Sequence, residues 1–175
     1  MFYSKHKQDP GIFRKDDWRG EAGFEQRLIT MDRLYTEYQK NEWRSEKKIP
    51  VLSMLHGTTE EVAWKICLNG FGIVAKVDAG YYGKGMYFTS SLSYATAYAE
   101  DSKQKYAKDK TAPNAFVVAA VAPGNPFPVI EHPKEKGSFL GQACQTGYQS
   151  HYVLGKLPFC FPLLLCQSSY QFAAF

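Results

Sequence analysis

Three short segments hold the residues best suited to bind and turn over a small molecule. They are His56-Gly57 within LHGT, the glycine-containing run Tyr82-Gly83-Lys84-Gly85, and two tyrosines eleven positions apart, Tyr87 and Tyr98. Two facing phenol rings make a slot for a flat heteroaromatic ring. A backbone amide and carbonyl beside a glycine such as Gly57 hold a carboxamide edge-on, and an imidazole such as His56 binds a sugar hydroxyl. Nicotinamide attached to ribose meets all three demands. A tyrosine pair met in isolation is usually ordinary core; HGT and YGKG beside this pair reverse that balance.

These residues need elements to position them. An apolar run at 49–55 (IPVLSML) has strand length and closes at His56 and Gly57. Thr58 or Thr59 then caps a helix with Val62, Ala63, Ile66 and Cys67 on one face and Asn69-Gly70 as its stop. Residues 71–75 read as a short strand and 76–85 as a glycine-rich loop, followed by a strand at 86–89 (MYFT). A second helix starts at Ser90 or Ser91, carries Tyr94, Ala97 and Tyr98, and runs to about Tyr106. Strands are predicted at 115–121 (AFVVAAV), 127–130 and 150–154 (SHYVL). Upstream, Phe24, Leu28, Met31, Leu34, Tyr35 and Tyr38 recur at helical steps over 21–43, with Arg27, Asp32, Arg33, Glu37 and Lys40 on the opposite face. The irregular alternation favours α+β over a doubly wound parallel sheet.

In order, LHGT (55–58), NGF (69–71) and YGKGMYFTSSLSYATAY (82–98) resemble the catalytic domain of the poly(ADP-ribose) polymerases, the diphtheria-toxin-like ADP-ribosyltransferases. The opening helix, FEQRLITMDRLYTEY, is similar to the helix that begins that domain. The resemblance implies an ADP-ribosyltransferase-like split antiparallel sheet with flanking helices. It implies NAD+ as substrate, a protein acceptor and release of nicotinamide through an oxocarbenium-like ribose. By position, His56 would bind the nicotinamide-ribose 2′-hydroxyl, Gly57 would hold the carboxamide, and Tyr87 and Tyr98 would clamp the ring. Residues 74–82 would cover the donor, with Tyr82, Gly83, Lys84 and Gly85 leading into the strand. His56 and Tyr87 would be the catalytic pair. No metal is implied.

Two departures stand out. Many members have a serine eight residues after the first clamp tyrosine; here Ala95 stands there, and Ser93 is the nearest hydroxyl, so one hydrogen bond worth about 1 kcal/mol is missing. Polymer-forming members carry a glutamate on a late strand, and this chain has no acidic residue after Glu135. If GYQSHYV (147–153) is that late strand, His151 takes the glutamate's place; the alignment favoured here sets it one strand earlier, with the final strand lost. The resulting expectation is transfer of single ADP-ribose units. An NAD- or ADP-ribose-binding module of the same fold without catalysis is the alternative. A more remote one is a cysteine protease, because QAC at 142–144 resembles the caspase nucleophile signature. There the expected glycine is displaced and His56 lies 88 residues before Cys144, rather than about 50.

Composition bounds the rest. A chain of 175 residues, 45% hydrophobic and 22% charged, is one folded domain's worth of sequence. The reading divides it into a polar arm at 1–17, a catalytic domain at 18–154 and a divergent tail at 155–175, uncharged apart from Lys156. A net charge of +4 with interspersed signs gives no reason to invoke nucleic acid or a membrane surface. The four cysteines lack CxxC spacing, the N-terminus lacks an apolar signal region and no NxS/T site occurs, which together predict an intracellular protein.

Overall fold

The computed structural model describes residues 18–40, 51–71, 80–154 and 162–165. The arm at 1–17 and most of the expected strand at 71–75 lie outside them. In chain order the elements are α1 (Phe24–Lys40), β1 (Leu52–Thr59), α2 (Glu60–Asn69), β2 (Met86–Thr89), α3 (Leu92–Tyr106), β3 (Asn114–Val121), β4 (Pro126–Val129), β5 (Ser150–Val153) and β6 (Pro162–Leu165). The strands are ordered β3-β1-β2-β6-β5-β4. Every pairing is antiparallel except β4 with β5. This is the α+β architecture anticipated above.

The sheet consists of two tightly laddered halves. On one side β1 and β3 pair continuously from Leu52↔Val121 to Thr59↔Asn114. On the other, β6 pairs β2 from Met86↔Leu165 to Thr89↔Pro162 and also pairs β5. Between β1 and β2 the register holds at Leu55↔Thr89, and the strands part beyond it. The site described below lies at this parting.

Local sequence explains the helices. Thr59 accepts a hydrogen bond from Val62 N at 3.4 Å to open α2, and Gly70 closes it with φ 76°, its N–H returning to the Ile66 carbonyl. Ser91 caps α3 by accepting from Tyr94 N. The buried Ala95 and Ala99, one turn apart, let the α3 backbone approach the sheet closely.

Three features differ from the sequence reading. β1 does not close at His56 but runs through Gly57 to Thr59, because β3 supplies a pairing partner at every position. The uncharged tail provides β6, so the position expected to be lost is occupied and the inner edges of β2 and β5 are paired. Pro162 is tolerated because it opens the strand. Arg27 is the third. Placed above on the polar face of α1, it is 5% exposed and faces inward with Met31 and Leu34. Its Nη1 donates to the Pro128 carbonyl at 2.6 Å, its Nη2 pairs with Glu131, and its guanidinium lies 4.7 Å from the Phe127 ring centroid. A buried fork donor with a carboxylate, a carbonyl and a ring around it anchors α1 to the end of β4. Arg27→Ala is therefore expected to cost about 2–4 kcal/mol by stranding Glu131 and the Pro128 carbonyl, read as a lower urea midpoint. Arg27→Lys, which cannot reproduce the fork, recovers only part of that loss.

Candidate functional site

His56 sits on β1 where the sheet parts. Its Nδ1 lies 2.9 Å from the Tyr87 backbone oxygen on β2. A carbonyl only accepts, so Nδ1 carries the proton and the imidazole bridges two strands where their backbone ladder has ended. Phe71 stands edge-on to the ring at 5.3 Å and Phe88 tilts against it at 5.8 Å. Burial in this aromatic corner lowers the His56 pKa below its ordinary value, with the Tyr87 carbonyl opposing the shift in part. The ring is thus neutral at pH 7, and Nε2 carries the lone pair.

Gly57 follows, and its lack of a side chain is a packing requirement. A Cβ here would overlap the Ala95 carbonyl oxygen of α3 and stand 2.8 Å from its carbon. Ala95 thus lies directly over β1 at the residue assigned to the carboxamide. Tyr98, three residues further along α3, is on the same face of the helix as Ala95. Its hydroxyl is 3.4 Å from that of Tyr94, with ring centroids 5.0 Å apart. Ser93 is exposed in the first turn of α3, its Oγ 2.9 Å from the Oγ of the capping Ser91.

The Tyr87 hydroxyl has two structural bonds. It accepts from Tyr82 N at 2.9 Å and donates to the Gly83 carbonyl at 2.7 Å. The strand tyrosine therefore ties down the turn that precedes it. That turn is closed by Gly83 N donating to the Gly80 carbonyl, with Gly80 at φ 69° and no room for a Cβ against Gly83. From the other side, Lys84 N donates to the Gln142 carbonyl at 2.7 Å and Gly141 N to the Gly80 carbonyl at 2.9 Å.

His56, Gly57, Tyr82, Gly83 and Tyr87 are thus joined by direct bonds or chain continuity, whereas on α3 Tyr98 shares the face of Ala95 and the exposed Ser93, two residues before Ala95, lies on a different face. The family model described as Poly(ADP-ribose) polymerase catalytic domain matches residues 18–153. The chain belongs to the poly(ADP-ribose) polymerase catalytic-domain family. No curated protein and no solved structure matches it. The match ends at the last residue of β5, so β6 completes a poly(ADP-ribose) polymerase-type sheet from sequence beyond the matched residues. Members of this family are ADP-ribosyltransferases that use NAD+.

Other candidates take their places around this site. Cys144 is disulfide-bonded, which removes the thiolate that a cysteine protease needs. The imidazole nearest its loop is His151, whose Nε2 is engaged by Gln145 N at 2.9 Å. A cavity of about 330 Å³ opens at the α1 and β4 end, lined by Trp18, Arg27, Phe127, Gln145 and Tyr148 among others, and includes none of the predicted site residues. Among the described residues no group of three metal-ligating side chains lies together. No described helix is long and apolar enough to cross a membrane.

Sequence reasoning underweighted His151. A lone histidine in a buried strand, within a stretch nearly free of charge, has to be satisfied by backbone groups, and that was its signal. Its pKa is also lowered, mainly by burial, with the Tyr82 carbonyl and Glu131 opposing. Both imidazoles therefore bind fewer protons folded than unfolded below the unfolded value of about 6.5. Their stabilising contribution is complete above that pH and is lost as pH falls toward the folded values. The thermal midpoint is expected to drop between pH 7.5 and 5.5, and His56→Gln or His151→Gln should flatten that dependence.

Proposed function

We propose that this chain transfers single ADP-ribose units from NAD+ to a protein side chain, releasing nicotinamide. In this reaction the bond between ribose C1′ and the nicotinamide nitrogen breaks, a new bond forms from C1′ to the acceptor, and the acceptor's proton is released. The observation that carries the reading is the His56 bridge. With Nδ1 committed to the Tyr87 carbonyl and burial keeping the ring neutral, Nε2 presents a lone pair suited to a ribose hydroxyl. We assign the carboxamide to the Gly57 backbone and the ring clamp to Tyr87 and Tyr98. The Tyr82-Gly83 turn is the boundary of the donor pocket, and Ser93, the serine nearest in sequence to Ala95, is assigned to the donor as well.

Restriction to single units follows from acid–base chemistry. Elongation requires a sugar hydroxyl of the previous unit to attack, and a positioned carboxylate assists that attack. The sequence has no carboxylate after Glu135, and both nitrogens of His151 on β5 are held by backbone groups. That second fact also favours an alternative reading, a module that holds NAD+ or ADP-ribose without transfer. We place the chain and its acceptor inside the cell.

Titration with NAD+ and a transfer assay with labelled NAD+ separate these readings. The transferase reading expects binding, single additions on gels, and about a 10- to 100-fold lower kcat/KM for His56→Ala and for Tyr87→Ala, equivalent to about 1.4–2.8 kcal/mol. Long ladders contradict the restriction to single units. Binding without labelled product selects the module, and unchanged binding and transfer in both variants overturn the site.

A further inference from the structure

We propose that His151 is a positioning residue of the donor site, holding the Tyr82-Gly83 turn, and through it Tyr87, by way of the Tyr82 carbonyl. The proposal rests on the reading of Tyr87 as part of that site.

The observations begin with burial. His151 is fully enclosed on β5, a strand buried at every position. An imidazole removed from water needs partners for both nitrogens. Gln145 N is 2.9 Å from Nε2, and a backbone amide only donates, so Nε2 is the acceptor. Nδ1 therefore bears the proton and donates to the Tyr82 carbonyl at 2.8 Å. The hydrogen-bond pattern alone fixes this tautomer. Phe139 at 4.7 Å and Phe127 at 5.8 Å hold the ring in its plane.

The same residue leads on to the site. Its carbonyl is taken by His151, and the N–H of the same residue donates to the Tyr87 hydroxyl. Backbone register agrees: Tyr87 and His151 both stand opposite Leu164 of β6, on one face of the sheet and about 10 Å apart across two strand spacings. Around this link the 141–145 segment grips the 80–84 turn through Gly141 N to Gly80 O and Lys84 N to Gln142 O. His151 joins the two segments from within the sheet, one nitrogen to each. With both nitrogens so committed it has no lone pair to accept a proton from an acceptor hydroxyl. Its effect on the reaction is through geometry.

Amide substitutions separate the two bonds. Asparagine places a donor near the Nδ1 position and keeps the tie to Tyr82; glutamine reaches the Nε2 position and keeps the tie to Gln145. Phenylalanine keeps the shape and loses both. Positioning through Tyr82 predicts that His151→Asn binds NAD+ within about threefold of wild type, whereas His151→Gln and His151→Phe bind about 10-fold or more weakly. Amide exchange at Tyr82 and Lys84 should accelerate in the Gln and Phe variants and stay near wild type in the Asn variant. Equal behaviour of the Asn and Gln variants, or unchanged exchange at Tyr82 in the Gln variant, overturns the proposal. If His151→Phe does not fold, the comparison of Asn with Gln still decides. The exchange readout needs no NAD+, so a wild-type chain that fails to bind NAD+ refutes the donor-site reading while this link to Tyr82 is judged separately.

Discussion

The His56 imidazole bridging to the Tyr87 carbonyl is the contact on which the rest of the arrangement depends. β1 and β2 are neighbours in the sheet, yet their register ends after Leu55↔Thr89, and the side chain replaces the backbone bond that an intact ladder would make. The two strands diverge without any change of domain. The parting costs unpaired backbone groups unless something satisfies them. One ring nitrogen does so; that bond fixes the tautomer, while burial keeps the ring neutral.

Two further constraints fix the surroundings of this parting. α3 is drawn onto β1 so closely that only glycine fits at position 57, and the small Ala95 and Ala99 permit that approach. On the other side, the 80–84 turn has no regular structure of its own and is held by the Tyr87 hydroxyl, the 141–145 segment and His151. A turn acquires rigidity from hydrogen bonds to buried, fixed groups, and here those groups come from β2 and β5. Phe71 and Phe88 pack against the His56 ring, and Phe127 and Phe139 against that of His151.

Much of this was legible in the sequence. Capping residues and hydrophobic periodicity gave α2, α3, β2 and β3 nearly to the residue, because local chemistry sets those elements. The misreadings share a cause: each depends on a partner distant in sequence. Arg27 looks like a surface charge until Glu131 and Phe127, about a hundred positions away, enclose it. HGT looks like a strand end until β3 is laid beside it. LPFCFPLLL has neither a helical nor an alternating pattern, since the pairing of Pro162–Leu165 is decided by vacant backbone on β2 and β5 rather than by amphipathicity. His151 was recognised as a possible occupant of the late strand, but its tie to Tyr82 spans 69 positions and leaves no local trace.

The central claim is that His56 is neutral and protonated on Nδ1, leaving Nε2 as an acceptor. Nitrogen NMR of the 15N-histidine-labelled chain at pH 7 reads this directly, because the protonated and lone-pair nitrogens of a neutral imidazole resonate far apart. The account predicts a His56 signal of the Nδ1–H tautomer whose Nε2 shift moves when NAD+ is added. An Nε2–H tautomer or a protonated His56 ring at that pH would contradict it, as would an Nε2 resonance indifferent to saturating NAD+.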